Sequence, residues 1–160
     1  MAPKIKKNRE DEGFNRFKKI VDIKLDPVSM VLKAHLLAEY YIDQFIALKM
    51  PKGNILLDRG FTFSQKLSVL KAIDILLDDD SDQLEALNKI RNKCAHDMEY
   101  SISEADIDRI GFPQGRYYFK LKEEFPINKR KKHLLYVTLI GVVASLDGLC
   151  RHLKEKHKKS

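Results

Sequence analysis

The residues best suited to chemistry lie in one short segment, Arg91-Asn92-Lys93-Cys94-Ala95-His96-Asp97. Arginine is a permanent, forked cation that suits phosphate oxygens. Histidine titrates near neutrality and can accept or donate a proton. Such a pair can cleave a phosphodiester without a metal, with His96 taking a 2′-hydroxyl proton while Arg91 holds the charge that develops. The same pair also fits a surface arginine beside a helix-terminal histidine that stabilises the last turn.

The spacing of this pair constrains how it can work. At about 100° per residue, Asn92 and His96 share one face of a helix. Arg91 lies five positions before His96, about 140° around the axis, so an unbroken helix does not aim both at one point. The two side chains can converge if the helix loosens near His96, or if two copies of the helix face each other across a two-fold axis.

The other polar clusters have simpler interpretations. Asp78-Asp79-Asp80 with Asp82 resembles a cation cluster, but it lacks the glycine and the spaced ligands of a calcium loop, which favours a solvated turn. Three further histidines have no ligand partners at recognisable spacing and are interpreted as ordinary helix residues: His35, His133 and His152. The sequence therefore predicts neither a metal site nor a cofactor.

Length and composition fit one soluble domain. The chain has 160 residues, of which 44% are hydrophobic, and can bury a core without disulfides. Its two cysteines, Cys94 and Cys150, are typical of the sparse usage of a reducing compartment. The longest strongly apolar uncharged run covers residues 134–146, which is shorter than the roughly 20 residues of a bilayer span. We expect a cytoplasmic protein with no membrane association.

Positive charge is concentrated at the two ends of the chain. Residues 1–9 carry a net charge of +4 and residues 128–160 carry +7, within a total of +7. The ends can be solvated tails that maintain solubility, or they can contact nucleic acid. The best contact candidates are Lys93 and a basic turn whose cations oppose the dipole of the helix that follows: Lys129, Arg130, Lys131 and Lys132.

Hydrophobic periodicity predicts an all-α fold, a bundle of about four main helices with short additions. Residues 1–13 have almost no apolar content and are predicted to be a disordered basic arm. A single domain then covers residues 14–157, and residues 158–160 form a basic tail end. The expected helices are 14–21, 27–49, 63–77, 82–96, 103–110 and 133–156.

The predicted boundaries rest on capping residues, proline and glycine. Asp26-Pro27 is a helix start, Thr62 or Ser64 caps the next helix, and Ser103 with Asp106 resembles a capping box. Asp78–Asp80 is expected to end one helix before Ser81 caps another, and Asn128 to cap the last. Residues 52–60 are expected to form a loop, and residues 112–127 a loop or a short extended piece.

The string Arg91-Asn92-x-x-Ala95-His96 resembles the Arg-polar-x-x-x-His signature of the HEPN superfamily. The surroundings fit as well, because a long first helix carries Leu36-Leu37-Ala38-Glu39-Tyr40-Tyr41 and a later segment reads Phe63-Ser64-Gln65-Lys66-Leu67. The continuation Glu99-Tyr100-Ser101-Ile102-Ser103 resembles the branch that includes mannitol operon repressor (MltR-like) proteins. The resemblance spans about residues 27–110.

This resemblance implies a helical homodimer with the signature at its interface. Many HEPN proteins are metal-independent endoribonucleases of toxin–antitoxin or phage-defence systems, which would make Arg91 and His96 the catalytic pair and leave a 2′,3′-cyclic phosphate. Asn92 would orient or bind, and Glu39 would support the site by pairing with a signature residue, or would simply reach solvent. MltR-like members imply a non-catalytic transcriptional regulator or interaction module instead, and a third possibility is an inactive HEPN partner. The expected partners are RNA and a cognate antitoxin or regulatory protein.

Overall fold

A computed structural model describes residues 14–160, so the predicted disordered arm over residues 1–13 lies outside the described residues. Within that range the chain forms helices and no strand, which confirms the all-α class. The elements are α1 (residues 14–20), α2 (Pro27–Lys49), α3 (Gly53–Asp58), α4 (Phe63–Ala72), α5 (Asp78–His96), α6 (Glu104–Gly111), a 3₁₀ turn (Phe112–Gln114), α7 (Arg116–Glu124) and α8 (Ile127–Lys158).

Helix α2 lies at the centre of the bundle, where it contacts α3, α4, α5 and α8. Its start matches the prediction, since the Asp26 carboxylate accepts from the Ser29 amide at 2.9 Å and Pro27 takes the first position. Apolar side chains on more than one face of α2 are fully buried, among them Val31, Ala38 and Phe45. A helix that is apolar on several faces has to pack against several neighbours, and α2 therefore holds α5 in place.

Helix α8 closes the bundle. Length and composition alone would let α8 cross a bilayer, but 44% of its most apolar window is buried inside this structure. Its apolar residues pack against α2, α5, α6 and α7. The buried Asp147 accepts from the Tyr41 hydroxyl at 2.8 Å and pairs with Arg151 at 3.0 Å. The one buried charge of α8 is therefore paired inside the bundle.

The junction between α4 and α5 differs from the prediction. Helix α4 ends at Ala72, and Asp74 takes a left-handed conformation with φ of 58°. Asp78–Asp80 form the first turn of α5 instead of ending α4, and Ser81 is buried inside α5 instead of capping it. The physical reason is that carboxylates near a helix N-terminus interact favourably with the helix dipole.

Two further predicted segments are corrected. A short helix, α3, occupies the predicted loop over residues 52–60, and α7 forms where a loop or extended piece was expected. Gly115, with φ of 63°, supplies the left-handed residue that starts α7, and α7 is amphipathic because it buries Tyr118 and Leu121. Helix α8 begins at Ile127 and is interrupted at Arg130, so Asn128 is not its cap.

Candidate functional site

Helix α5 carries the segment with the candidate catalytic residues. It remains helical through His96, and the Asp97 amide still donates to the Lys93 carbonyl at 3.0 Å. The helix therefore does not loosen near His96, and of the two ways in which Arg91 and His96 could converge only the facing of two copies is compatible with this geometry.

An open groove of about 710 Å³ runs along the outer face of α5. His96 and Asn92 lie in it together, as expected from their one-turn spacing. The apolar floor is formed by Ala86 and Ile90. The remaining charged lining consists of three cations and two carboxylates: Lys89, Lys93, Arg109, Asp82 and Glu85. The groove thus combines a solvent-accessible histidine with a net positive lining, which suits an anionic ligand.

Arg91 lies on a different side of α5. Its Nη1 donates to the Asn92 side-chain oxygen at 3.0 Å, so Asn92 connects Arg91 to the groove. The guanidinium is half-buried, and its charge acts on His35 of α2. Within one copy the structure therefore links Arg91 with Asn92 and places Asn92 with His96, but it does not place Arg91 in the groove lining.

His35 belongs to a polar chain behind Arg91. Its Nε2 lies 3.0 Å from the Asn88 side-chain oxygen, and the Asn88 amide donates to the Ser64 hydroxyl at 3.1 Å. The pKa of His35 is lowered because burial, and after it the charge of Arg91, outweighs the opposing effect of the bond to Asn88. The His35 ring packs against Phe63, with the ring centroids 4.2 Å apart and the planes inclined by 33°.

Asp106 of α6 is the anchor for the groove cations. It is only 1% exposed, and its carboxylate lies 3.8 Å from Lys93 Nζ and 3.6 Å from an Arg109 guanidinium nitrogen. The amide and hydroxyl of Ser103 each donate to it at 2.9 Å, and the Tyr100 hydroxyl donates to it as well. Burial favours the neutral acid, but these hydrogen bonds prevail and hold the pKa of Asp106 below its usual range. Burial, and after it the hydrogen bond to Asp106, raises the pKa of Tyr100 to about 12.

Glu39 does not pair with a residue of the Arg91–Asp97 segment. Its carboxylate accepts from Lys66 Nζ at 2.9 Å, and Asp43 takes the same ammonium at 2.8 Å. Lys66 is 7% exposed, and its two carboxylates raise its pKa against the effect of burial. Glu39 thus fixes α4 to α2, and it reaches the candidate site only through its charge on His35.

The basic turn at the start of α8 lies near the groove. Lys131 and Lys132 line a second cavity of about 340 Å³ together with Tyr100. The Lys93 ammonium of the groove lies 5.5 Å from the centroid of the Tyr100 ring. Tyr100 therefore connects the groove lysine with the basic turn, while Lys129 and Arg130 are exposed beside them.

Replacing Lys129, Lys131 and Lys132 with glutamine should reduce the salt dependence of RNA binding. Each phosphate contact to a single strand contributes about 0.7 to the slope of log affinity against log salt, so three lost contacts should lower the slope by about 2. Filter binding over a salt series measures this slope. A matched variant, Lys156, Lys158 and Lys159 to glutamine at the far end of α8, should leave it unchanged. Equal slopes for both variants would show that the basic turn is only a solvated surface.

Sequence reasoning missed several residues of this site. Lys89 shares its helix face with Lys93 and His96, and that four- and seven-residue spacing is visible in the sequence. Arg109 and the role of Asp106 were not visible, because they depend on how α6 packs against α5. No group of three metal-ligating side chains is found among residues 14–160.

Comparison with known proteins gives no match, since no family model fits the chain and neither the curated proteins nor the solved structures include one significantly similar to it.

Proposed function

We propose that this chain is a cytoplasmic, HEPN-type RNA-binding protein that acts as a metal-independent endoribonuclease of a toxin–antitoxin or phage-defence system. One observation carries the proposal: His96 and Asn92 share an open groove with Lys89, Lys93 and Arg109. An imidazole among cations is a combination suited to metal-independent cleavage of a phosphodiester.

The proposed reaction uses the ribose next to the cleaved bond. His96 takes the proton of the 2′-hydroxyl, and the 2′-oxygen forms a bond to phosphorus. The bond from phosphorus to the 5′-oxygen breaks, and that oxygen takes a proton from water. The products are a 2′,3′-cyclic phosphate and a 5′-hydroxyl, and Arg91 stabilises the charge that develops on the phosphate oxygens.

The proposal includes a homodimer. Because Arg91 lies about 140° around α5 from His96, one copy does not direct both at the same phosphate. Two α5 helices that face each other across a two-fold axis would place Arg91 of one copy beside His96 of the other. Asn92, which accepts from Arg91 and also lines the groove, would then lie at the boundary between the copies.

A non-catalytic regulator or interaction module of the MltR-like kind is the second candidate. It is favoured by a shallow apolar depression of about 450 Å³ between α1 and α2, which the nuclease reaction does not use. Leu36 there is 62% exposed and Tyr40 is 42% exposed. Exposed apolar side chains grouped in this way are typical of protein-binding surfaces, and a cognate antitoxin or regulatory protein would be the partner.

In excess EDTA, the purified protein should cut single-stranded RNA and leave single-stranded DNA of the same sequence intact. DNA lacks the 2′-hydroxyl that His96 deprotonates in this mechanism. Gel electrophoresis detects the cleavage, and mass spectrometry should find 2′,3′-cyclic phosphate ends. A protein that is inert on RNA in both EDTA and divalent cations, yet binds a protein partner, would contradict the nuclease and support the regulator.

A further inference from the structure

Phe112 and Phe119 form an exposed aromatic pair that the proposed reaction does not use. Their side chains are 50% and 55% exposed. The ring centroids lie 5.9 Å apart, and the planes are inclined by only 25°. The two rings therefore form one aromatic surface that presents apolar area to solvent.

The buried Tyr118 supports both rings of the aromatic pair. The buried Tyr118 ring contacts Phe112 at 5.8 Å and Phe119 at 6.3 Å, and its hydroxyl donates to Asp108 at 2.7 Å. A Cβ atom at Gly111 would lie 2.2 Å from the Tyr118 ring, so glycine is needed for this close packing. The surface is thus preorganised, which lowers the entropy cost of binding a flat ligand.

Unpaired cations lie beside the aromatic pair. On α7, Arg116 and Lys120 project from the exposed arc between Phe119 and Tyr117, which are about 160° apart around the helix axis. Both cations are exposed, and neither has an ion-pair partner among residues 14–160. Tyr117 is 50% exposed at the other edge of this arc. Aromatic rings that alternate with free cations match the alternating bases and phosphates of a single strand.

Two of the four acidic residues of this region are already paired with a lysine. Asp108 and Glu104 are engaged by Lys122, whose Nζ lies 2.9 Å from Asp108 and 3.5 Å from Glu104. The same ammonium lies 5.9 Å from the Phe112 ring centroid. Glu123 and Glu124 lie one turn after Lys120 on the exposed side of α7, so Arg116, about two turns away from them, is the cation whose charge they reduce least.

The aromatic pair adjoins the groove on α5. Arg109 lines that groove, and Phe112 follows three residues later on a chain that stays helical through Phe112. Residues three apart on a helix have Cβ atoms about 5–6 Å apart. A strand that occupies the groove therefore needs only a short step to reach the aromatic rings.

We propose that Phe112 and Phe119, with Arg116 and Lys120, form a stacking platform for unpaired bases of a single-stranded RNA. The inference rests on the proposed function because it assumes that the cleaved bond of this RNA lies in the α5 groove. Stacking accepts any base, because every base has a π face. The substrate class is therefore single-stranded RNA with little sequence preference at the stacked positions. Double-stranded RNA, whose bases are already stacked, is excluded from the platform.

The test measures binding separately from cleavage. The wild-type chain is titrated, in EDTA, into a fluorescent adenosine strand of about 12 nucleotides whose 2′-O-methyl groups prevent the reaction. An abasic strand of equal length has the same phosphates without the bases. The wild type should bind the adenosine strand at least about tenfold more tightly, and Phe112→Ala/Phe119→Ala should remove most of this preference. Equal affinities of the wild type for the two strands would overturn the platform.

Two single variants distinguish base stacking from the docking of an apolar protein. Phe119→Tyr keeps a flat ring and should keep the preference for adenosine, whereas Phe119→Leu keeps apolar area without a ring and should lose it. If Phe119→Leu keeps the preference, the platform is overturned, and an apolar protein partner becomes the better occupant. Ile55→Ala is the control for lost exposed apolar area, since Ile55 is 45% exposed on α3, and it should bind like the wild type. Thermal unfolding verifies that each variant is folded.

The outcomes for the platform and for the nuclease are separable. Base-dependent binding without any cleavage of unmodified RNA would support the platform and contradict the nuclease. Cleavage of unmodified RNA, combined with equal affinity for the adenosine and abasic strands, would support the nuclease and contradict the platform.

Discussion

Replacing His96 with alanine should lower the rate of RNA cleavage by about 10²–10⁴-fold, because a positioned general base contributes that much. Fluorescent-strand cleavage in EDTA measures the rate. The fold should be unaffected, since His96 is exposed at the end of α5 and belongs to no core contact. His152→Ala, which removes an exposed histidine from α8, is the matched control and should cleave like the wild type.

Arg91→Ala should cause a comparable loss through a different route, since the developing charge on the phosphate would lack its counter-ion. Arg91→Lys should restore only part of the rate, because an ammonium lacks the forked geometry of a guanidinium. Arg59→Ala is the control for a lost surface arginine, since Arg59 is exposed beyond α3. Unchanged cleavage in both Arg91→Ala and His96→Ala would remove this pair from the reaction.

Mixing the two inactive variants tests whether the site is shared between copies. If Arg91 of one copy acts with His96 of the other, a mixed dimer of Arg91→Ala and His96→Ala chains contains one intact site. Random exchange should then restore about a quarter of the wild-type activity. If each copy uses its own pair, every site in the mixture remains defective and no activity returns. Light scattering under the same conditions should give twice 18.6 kDa.

The elements that the sequence specifies locally were predicted well. The bounds of α2 follow from Asp26, Pro27 and the glycine and proline that come after Lys49, and all these signals lie within the helix or directly beside it. The capping box at Ser103 is equally local and is confirmed by its hydrogen bonds, and of the two caps expected for α4 the structure selects Thr62, which forms a capping box with Gln65. The shared face of Asn92 and His96 followed from helix spacing alone.

The parts that depend on packing were not predictable in this way. The run Arg116-Tyr117-Tyr118-Phe119 looks irregular because its aromatic residues are consecutive, and only the burial of Tyr118 and Leu121 shows that it is an amphipathic helix. Asp106 looks like a simple capping residue in the sequence. Its contacts with Lys93 and Arg109 arise because α6 packs against α5, and no pattern within either segment encodes that contact.

Asp106→Ala should lower the free energy of unfolding by about 2 kcal/mol, because it removes a buried carboxylate that accepts hydrogen bonds from three donors. The donors are the Ser103 amide, the Ser103 hydroxyl and the Tyr100 hydroxyl. Urea denaturation at neutral pH measures the change. Glu104→Ala is the matched control, two residues away on the same helix but 52% exposed, and should change the stability by less than about 0.5 kcal/mol.

The pH dependence of the same contact has a definite sign. The folded-state pKa of Asp106 is held below its ordinary value, so the folded state favours the carboxylate more than the unfolded chain does. This contribution is fully present above the ordinary pKa of about 3.9, and it is lost as the pH falls through the lower, folded-state value. Asp106→Asn has no titrating group at this position, so its stability should fall less steeply with acid than that of the wild type. Parallel acid profiles for the two proteins would contradict this assignment.

The effect of Asp106 on the groove can be separated from its effect on stability. In Asp106→Asn the amide keeps the size of the side chain, but Lys93 and Arg109 lose the negative charge that fixes them beside the groove. Both ammonium and guanidinium should then become more mobile, and RNA cleavage at saturating RNA should fall even at temperatures where the variant is fully folded. Lys93 and Arg109 are still present and still positively charged in this variant. The affinity for RNA should therefore change less than the cleavage rate. A fall in rate that simply follows the unfolded fraction would show that Asp106 stabilises α6 and does not position the groove cations.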